Sequence, residues 1–283
     1  MHEKKSAGEQ MSWKLNLLMD LAKKIYSAVH PLLGTAEARE IVGLGFGGDE
    51  TRFIDKVSEK AVLQYLEDND ISCIFIGEEY GVKKVGSSPK FYLIIDGVDG
   101  TNNAMRGIKF ASASIAMSST EWSKDLEAAV VMDLYDGAVY SAEKNRGAKY
   151  NNKPIKPSRI KNIREAIVSV NVTRSLDSLR RITPIAERVR GLRALGSASL
   201  EICHVASGFL DAYIDLRGKL RTMDFAAGML IIREAGGLLL QPNGERIPNI
   251  PLTEINRFSI IASANRNIFD EIASLIKMKE NNV

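Results

Sequence analysis

FYLIIDGVDGTNNAMRG, residues 91–107, is the stretch that decides how this chain is read. Its first half is an unbroken apolar run, the pattern of a strand buried on both faces. The run ends on Asp96, turns through Gly97 and Val98, delivers Asp99, and opens at Gly100 and Thr101 into a helix start. Two carboxylates across a turn can face one point, and they repel each other unless a cation neutralises them. All-oxygen ligands suit Mg2+ or Mn2+ rather than zinc, and the turn frees the Val98 carbonyl as another oxygen. Beside it, the N–H groups of Gly100 and Thr101 form a cradle for phosphate. Taken alone, the same segment reads equally well as a hairpin turn with solvated acids.

Further acids in matching places tip the balance. Glu78 and Glu79 follow the apolar run ISCIFIG, and Asp224 begins the helix-like MDFAAGMLIIREAGG. An acid at a helix start is ordinarily a cap or a partner of the helix dipole. Three such acids, each at the mouth of an element, point instead to one carboxylate constellation.

Outward from this centre, Ser12 is placed as the N-cap of a helix carrying Trp13, Leu17, Leu21, Ile25 and Val29 at helical spacing. The Gly-rich stretch GLGFGGDETRF leads to a second helix with Ile54, Val57, Ala61, Val62, Tyr65 and Leu66 on one face. Five β-rich runs between residues 71 and 143 then predict a largely antiparallel sheet. After YNNKPIKPSRIKN, strands alternate with helices, including a strand at RALG, residues 193–196. The expected organisation is an α/β layered fold with an N-terminal part, residues 1–153, and a C-terminal part, residues 154–283, enclosing a cleft.

Composition narrows the function. The chain has 283 residues, 45% hydrophobic and 26% charged, with net charge +3 and no basic block of the kind that binds nucleic acid. Only His2, His30 and His204 are available, so a histidine-rich metal site is excluded and catalysis falls to carboxylates. Cys73 and Cys203 sit apart in apolar runs and read as buried thiols of a reducing compartment. No apolar run reaches the ~20 residues of a membrane span, and the residues before Met11 read as a loose tail without a signal-peptide core. These features predict a cytoplasmic protein with no membrane or nucleic-acid partner.

In order along residues 12–275, the motifs G-E-E-Y-G, D-G-V-D-G-T-N-N, G-S-A-S-L-E and M-D-F-A-A-G followed by E-A-G-G are similar to those of the inositol monophosphatase superfamily of metal-dependent sugar phosphatases. The chain most resembles the archaeal branch that handles inositol monophosphate and fructose 1,6-bisphosphate. The resemblance implies a five-layer αβαβα sandwich and a homodimer. It implies about two or three Mg2+ ions, with Mn2+ as a substitute, held by Glu78, Asp96, the Val98 carbonyl, Asp99 and Asp224. Asp55 and Thr101 match the pair that activates water, and the substrate side is matched by Asp99, Gly100, Thr101, Gly196, Ser197 and Ala198. Ser197 is explained equally by N-capping. Three departures stand out: Gly97 where the family has proline, Met223 where it has an aromatic residue, and a longer stretch from Asp215 to Asp224. That length leaves Asp215 a candidate only, and Glu79 has either a supporting role or none.

The implied reaction is in-line hydrolysis of a sugar phosphate monoester by metal-activated water. In DLRGKLRTMD, strand alternation puts Arg217, Lys219 and Arg221 on one face. They read either as a grip on a second phosphate or as a solvated basic edge, with Arg174, Arg193 and Lys109 as weaker candidates. Two alternatives remain: a 3′-phosphoadenosine 5′-phosphate phosphatase, for which the sequence offers no visible adenine pocket, and a regulatory binding protein that contacts the transcription machinery.

Overall fold

The computed structural model describes residues 11–280, so the tail expected ahead of Met11, with His2, lies outside the described residues. Ser12 caps the first helix as its position predicts, accepting the Leu15 N–H at 3.3 Å. This helix, α1 (Trp13–Val29), buries Leu18, Leu21, Ala22, Ile25 and Val29. Trp13, expected on the same face, is 58% exposed: it sits at the first helical position and tilts over the Phe91 ring, 5.8 Å between centroids. A hairpin of β1 (Ile41–Leu44) and β2 (Glu50–Arg52) then leads into α2 (Phe53–Asp68).

The eight strands that follow form one sheet: β3 (Cys73–Gly77), β4 (Gly81–Val85), β5 (Tyr92–Asp99), β6 (Ser112–Ser118), β7 (Leu126–Asp133), β8 (Val139–Glu143), β9 (Ala148–Tyr150) and β10 (Lys153–Pro154), with the short α3 (Thr101–Arg106) after β5. Their order is β10-β9-β8-β7-β6-β5-β3-β4, antiparallel except for the β3–β5 pair. The decisive apolar run is therefore an interior strand, and Leu93, Ile94, Ile95 and Val98 are all buried.

The second sheet collects β11 (Ile167–Asn171), β12 (Gly191–Arg193), β13 (Ala212–Arg221), β14 (Leu238–Leu240) and β15 (Arg257–Ser263) in the order β12-β11-β13-β15-β14. Helices α4 (Leu176–Ala186), α5 (Ala198–Ala206), α6 (Thr222–Ala235) and α7 (Arg266–Glu280) alternate with these strands. The strand expected at residues 193–196 lies earlier, at Gly191–Arg193. Leu195 leaves the sheet because its carbonyl accepts from Asn103 Nδ2 at 2.7 Å.

Three apolar cores make five layers. One lies between the pair α1, α2 and the large sheet, one surrounds α5 and α6 between the two sheets, and one lies between the small sheet and the pair α4, α7. Burying each Leu or Ile in these cores contributes about 1.5–3 kcal/mol. Helices α5 and α6 are apolar nearly all round because they have a sheet on either side. Both cysteines are buried free thiols. Among the described residues no helix is long and apolar enough to cross a membrane.

The second helix differs from its expected face. Ser58 and Glu59 are buried beside Ile54, Val62 and Leu66, while Val57 and Ala61 are half-buried. The sheet admits these polar residues at two glycines. A Cβ on Gly77 would stand 2.3 Å from Glu59 Oε2, and one on Gly97 would stand 2.6 Å from Ser58 Cβ. The glycine that replaces the family's proline is thus the space into which Ser58 packs. Gly97→Ala is expected to destabilise the fold by about 1–3 kcal/mol through overpacking, read as a lower urea midpoint. An unchanged midpoint would mean that α2 can shift without cost.

Candidate active site

Three elements deliver four acids to one cleft between the sheets. Glu78 lies just after β3, Asp96 in β5, Asp99 at its end, and Asp224 in the first turn of α6. Single carboxylate oxygens of Glu78, Asp96 and Asp224 all lie within 4.8 Å of one another. They line a cavity of about 280 Å3 with Val98, Asp99, Gly100, Thr101, Gly196, Ala198, Arg217 and Arg221. Asp96 is buried, accepts the Val98 N–H at 3.1 Å, and closes the turn foreseen in the sequence. The pairing of β5 with β6 slips between Asp96 and Asp99, which takes this stretch out of the regular ladder.

Asp99 is held differently. Its Oδ2 accepts from Ser197 Oγ at 2.7 Å and from the Ser199 N–H at 2.6 Å, and its Oδ1 accepts from the Ala198 N–H at 3.2 Å. The N-terminus of α5 therefore grips this carboxylate. Asp99 nonetheless lines the cavity. It is set apart from the three-acid cluster, and of Ser197 and Ala198, both expected on the substrate side, each contacts Asp99 while Ala198 alone lines the cavity.

Thr101 Oγ1 lies 3.0 Å from Asp55 Oδ1 and 3.0 Å from the Val98 carbonyl. Two residues 46 positions apart in the chain thus meet within hydrogen-bonding distance. Burial, then Glu78 and Glu79, push the Asp55 carboxyl well above the usual carboxylate range. Asp96 is raised by burial and then by Asp99 and Glu78. Glu78 and Asp224 are raised by burial too, with Arg221 opposing. Burial is the largest cause of each shift, and Arg221 is the one positive charge that opposes it among these acids. This donor set, all oxygen and crowded, fits a hard divalent cation.

The basic face is only partly as expected. Arg217, Lys219 and Arg221 line a common cavity of about 630 Å3 with Arg174, Thr173 and Arg257, as strand alternation predicts. Arg217, however, is clamped on Asp215, with Nε–Oδ1 2.9 Å and Nη2–Oδ2 2.5 Å. Asp215 is fully buried under that clamp, so its carboxylate is already engaged. Arg221 reaches into the acids, 2.6 Å from Glu78 and 3.1 Å from Asp224. Among the described residues, Lys219, Arg174 and Arg257 have no carboxylate within 4.0 Å. Arg193 turns away to the Leu192 carbonyl, and Lys109 lines neither cavity. Glu79 points to Thr51, whose hydroxyl donates to it, and so anchors the β1–β2 hairpin.

Three participants escape the sequence reading. Arg257 comes from β15, and Asn103 joins the Phe110 and Leu195 carbonyls behind the site. Glu59 accepts the Glu79 and Tyr80 N–H groups at 3.0 Å and so fixes the turn that carries Glu78. The available signal for Glu59 was a charged residue beside Ser58 on an otherwise apolar stripe.

Five layers with acids crowded between the sheets define a layered sugar-phosphatase sandwich. The chain belongs to the inositol monophosphatase family, whose model matches residues 15–280. It is 34% identical over 268 residues to a bifunctional NADP phosphatase/NAD kinase of Methanococcus maripaludis, covering 88% of this chain but only 47% of that relative, about half its length. It is 32% identical over 275 residues to a fructose-1,6-bisphosphatase/inositol-1-monophosphatase of Methanothermobacter thermautotrophicus, covering 94% and 97% of the two chains. Among solved structures, an inositol monophosphatase–fructose 1,6-bisphosphatase superposes with TM-score 0.82 at 28% identity, covering 94% of this chain and 100% of that one.

Two buried acids behind the site set the expected pH response. Burial pushes Glu59 up to about 7 and Glu201 up to about 8, from an ordinary 4.5. Each keeps its proton in the folded chain where the unfolded chain has lost it. Their stabilising share is therefore complete below about pH 4.5 and is lost as pH rises through about 7 and about 8. Chelator-treated protein should melt at lower temperature at about pH 8 than at about pH 5.5, and Glu201→Gln should flatten that fall. A melting temperature that does not drop over this range would show that neither acid holds a proton.

Proposed function

We propose that this chain hydrolyses phosphate monoesters of sugars and polyols in a Mg2+-dependent reaction, with inositol 1-phosphate and fructose 1,6-bisphosphate as substrates. The observation that carries this reading is the convergence of Glu78, Asp96 and Asp224 within 4.8 Å beside the Thr101–Asp55 pair. Glu78, Asp96, the Val98 carbonyl, Asp99 and Asp224 are the groups that would hold the cation. When bound there, a divalent ion supplies positive charge at the phosphoryl oxygens and acidifies an attacking water.

The chain's own residues supply the rest. Thr101 has one hydroxyl hydrogen and two acceptors in reach, Asp55 and the Val98 carbonyl. By turning that hydrogen to Asp55 it leaves a lone pair to accept from water, and Asp55, with its raised proton affinity, takes up the proton. The Gly100 and Thr101 N–H groups receive the phosphoryl oxygens, and Gly196 and Ala198 bound the sugar side of the cavity. The adjoining basic cavity, with Lys219, Arg174 and Arg257 free of carboxylates and Arg217 at its wall, receives a second phosphate.

NADP is the second reading, favoured by the Methanococcus relative and by room in that basic cavity for a pyrophosphate. Among the described residues no aromatic ring lines either cavity, which weighs against stacking of an adenine, the base that NADP and 3′-phosphoadenosine 5′-phosphate share. We also read the chain as a cytoplasmic homodimer with small-molecule substrates. The buried reduced thiols and the half-exposed Leu179 and Leu192 around the edge strand β12 support this.

Phosphate release with Mg2+ over inositol 1-phosphate, fructose 1,6-bisphosphate, NADP and 3′-phosphoadenosine 5′-phosphate tests the reading. Undiminished turnover in chelator would overturn the metal requirement, and no release from any substrate would favour the regulatory binding protein. Thr101→Ala should lower kcat about a hundredfold or more with little change in KM. Lys219→Ala should cost about tenfold to a hundredfold in kcat/KM on fructose 1,6-bisphosphate, the loss of one charge-assisted hydrogen bond. Inositol 1-phosphate, with no second phosphate, should lose less than about twofold. Arg217→Ala is the poorer probe because it strands the buried Asp215 carboxylate.

A further inference from the structure

Arg221 occupies a place that the proposed chemistry does not assign to it. Its side chain is only 14% exposed and lies inside the acid cluster. Nη1 meets Glu78 Oε1 at 2.6 Å, and Nη2 and Nε meet Asp224 Oδ1 at 3.1 and 3.2 Å. Its backbone N–H also donates to Asp224 Oδ2 at 2.8 Å. Asp49, in the β1–β2 turn, stands 3.9 Å from Nη1. Burial works against the guanidinium's charge, but Asp224 and Glu78 outweigh it and hold the proton more firmly than in a free arginine.

The guanidinium thus spends its donors on two of the three carboxylates that converge for a cation. A divalent ion drawing Glu78, Asp96 and Asp224 together needs those same oxygens, and a second positive charge within hydrogen-bonding distance of them repels it. The side chain has somewhere to go. Arg221 also lines the adjoining cavity of about 630 Å3, where Asn102, Thr173, Arg217 and the solvent-exposed Lys219 stand with the acids Asp49 and Asp224 at its wall. There a guanidinium would join the cations that receive a second phosphate.

We propose that Arg221 is a tethered competitor for the cation site. In the ion-free chain it bridges Glu78 and Asp224 and offsets their repulsion. Divalent cations displace it into the basic cavity, where it adds to the anion-binding face. Two properties follow: the cation affinity is lower than the carboxylates alone would give, and the site stays folded without the ion. This proposal rests on the cation site described above.

Isothermal titration of Mg2+ and of Mn2+ into chelator-stripped protein, without substrate, tests it. Arg221→Gln should bind the ion at least about tenfold more tightly than the parent chain, equivalent to about 1.4 kcal/mol. Its ion-free melting temperature should fall while the rise on adding Mg2+ grows. Arg221→Lys, which keeps the charge but loses the two-pronged contact, should fall between them and guards against a glutamine variant that does not fold. Lys219→Gln removes a charge from the same cavity without touching a carboxylate, and should leave the affinity within about twofold. General damage to the site would weaken binding, so only a competitor predicts tighter binding. Equal or weaker binding in both Arg221 variants overturns the proposal, and a Lys219→Gln gain as large as that of Arg221→Gln would replace contact with long-range repulsion and overturn it too. A parent chain that binds neither ion would overturn the cation site itself, a separate failure.

Discussion

Crowding of like charge is the constraint on which this molecule is built. Glu78, Asp96 and Asp224 meet in a cleft where burial alone already disfavours their ionised forms. Nothing in a folded protein puts such groups together without cost, and each buried unpaired charge can cost several kcal/mol. The surrounding structure answers that cost piece by piece. The α5 N-terminus saturates most of Asp99, the Val98 N–H meets Asp96, and Arg221 spans Glu78 and Asp224.

The layers follow from the same need. A rigid frame is required to hold repelling groups in place, and here each acid sits at the end of an element fixed by an apolar core. Asp96 and Asp99 belong to an interior strand with neighbours on both sides, and Asp224 begins a helix packed between two sheets. Glu78 lies on a turn, which makes it the most weakly framed of the set. Glu59 compensates by reaching from α2 to both N–H groups that follow it. The polar surface of α2 and the two glycines of the sheet are one device, because neither Ser58 nor Glu59 fits unless positions 97 and 77 lack side chains.

The basic wall of the cleft is a composite. Strand β13 brings three cations to one face, but the structure commits two of them differently: Arg217 neutralises Asp215, and Arg221 attends to the acids. Of the three, Lys219 alone is left without a carboxylate partner, and Arg174 and Arg257 join it from other elements. A second phosphate would therefore be read by groups from three separate segments, a composite that residue alternation along one strand describes only in part.

By itself, the sequence determined the two long N-terminal helices, the buried interior strand and the Ser12 cap, because apolar periodicity and turn chemistry are local properties of the chain, while the β1–β2 hairpin, β4, β9 and β10 carried no such signal. The run FYLII and the turn Asp96–Asp99 carry their meaning without any partner. Three things were decided only by tertiary structure. Trp13 was exposed by its place at the first turn of α1, Glu59 was buried by the two missing side chains of the sheet, and Arg221 was turned onto Glu78, a residue 143 positions away. Each depends on what lies opposite across a packed interface. Local pattern can say which face of an element is apolar, but a charged side chain goes where the summed field and the available space of distant segments allow, and those exist only in the folded chain.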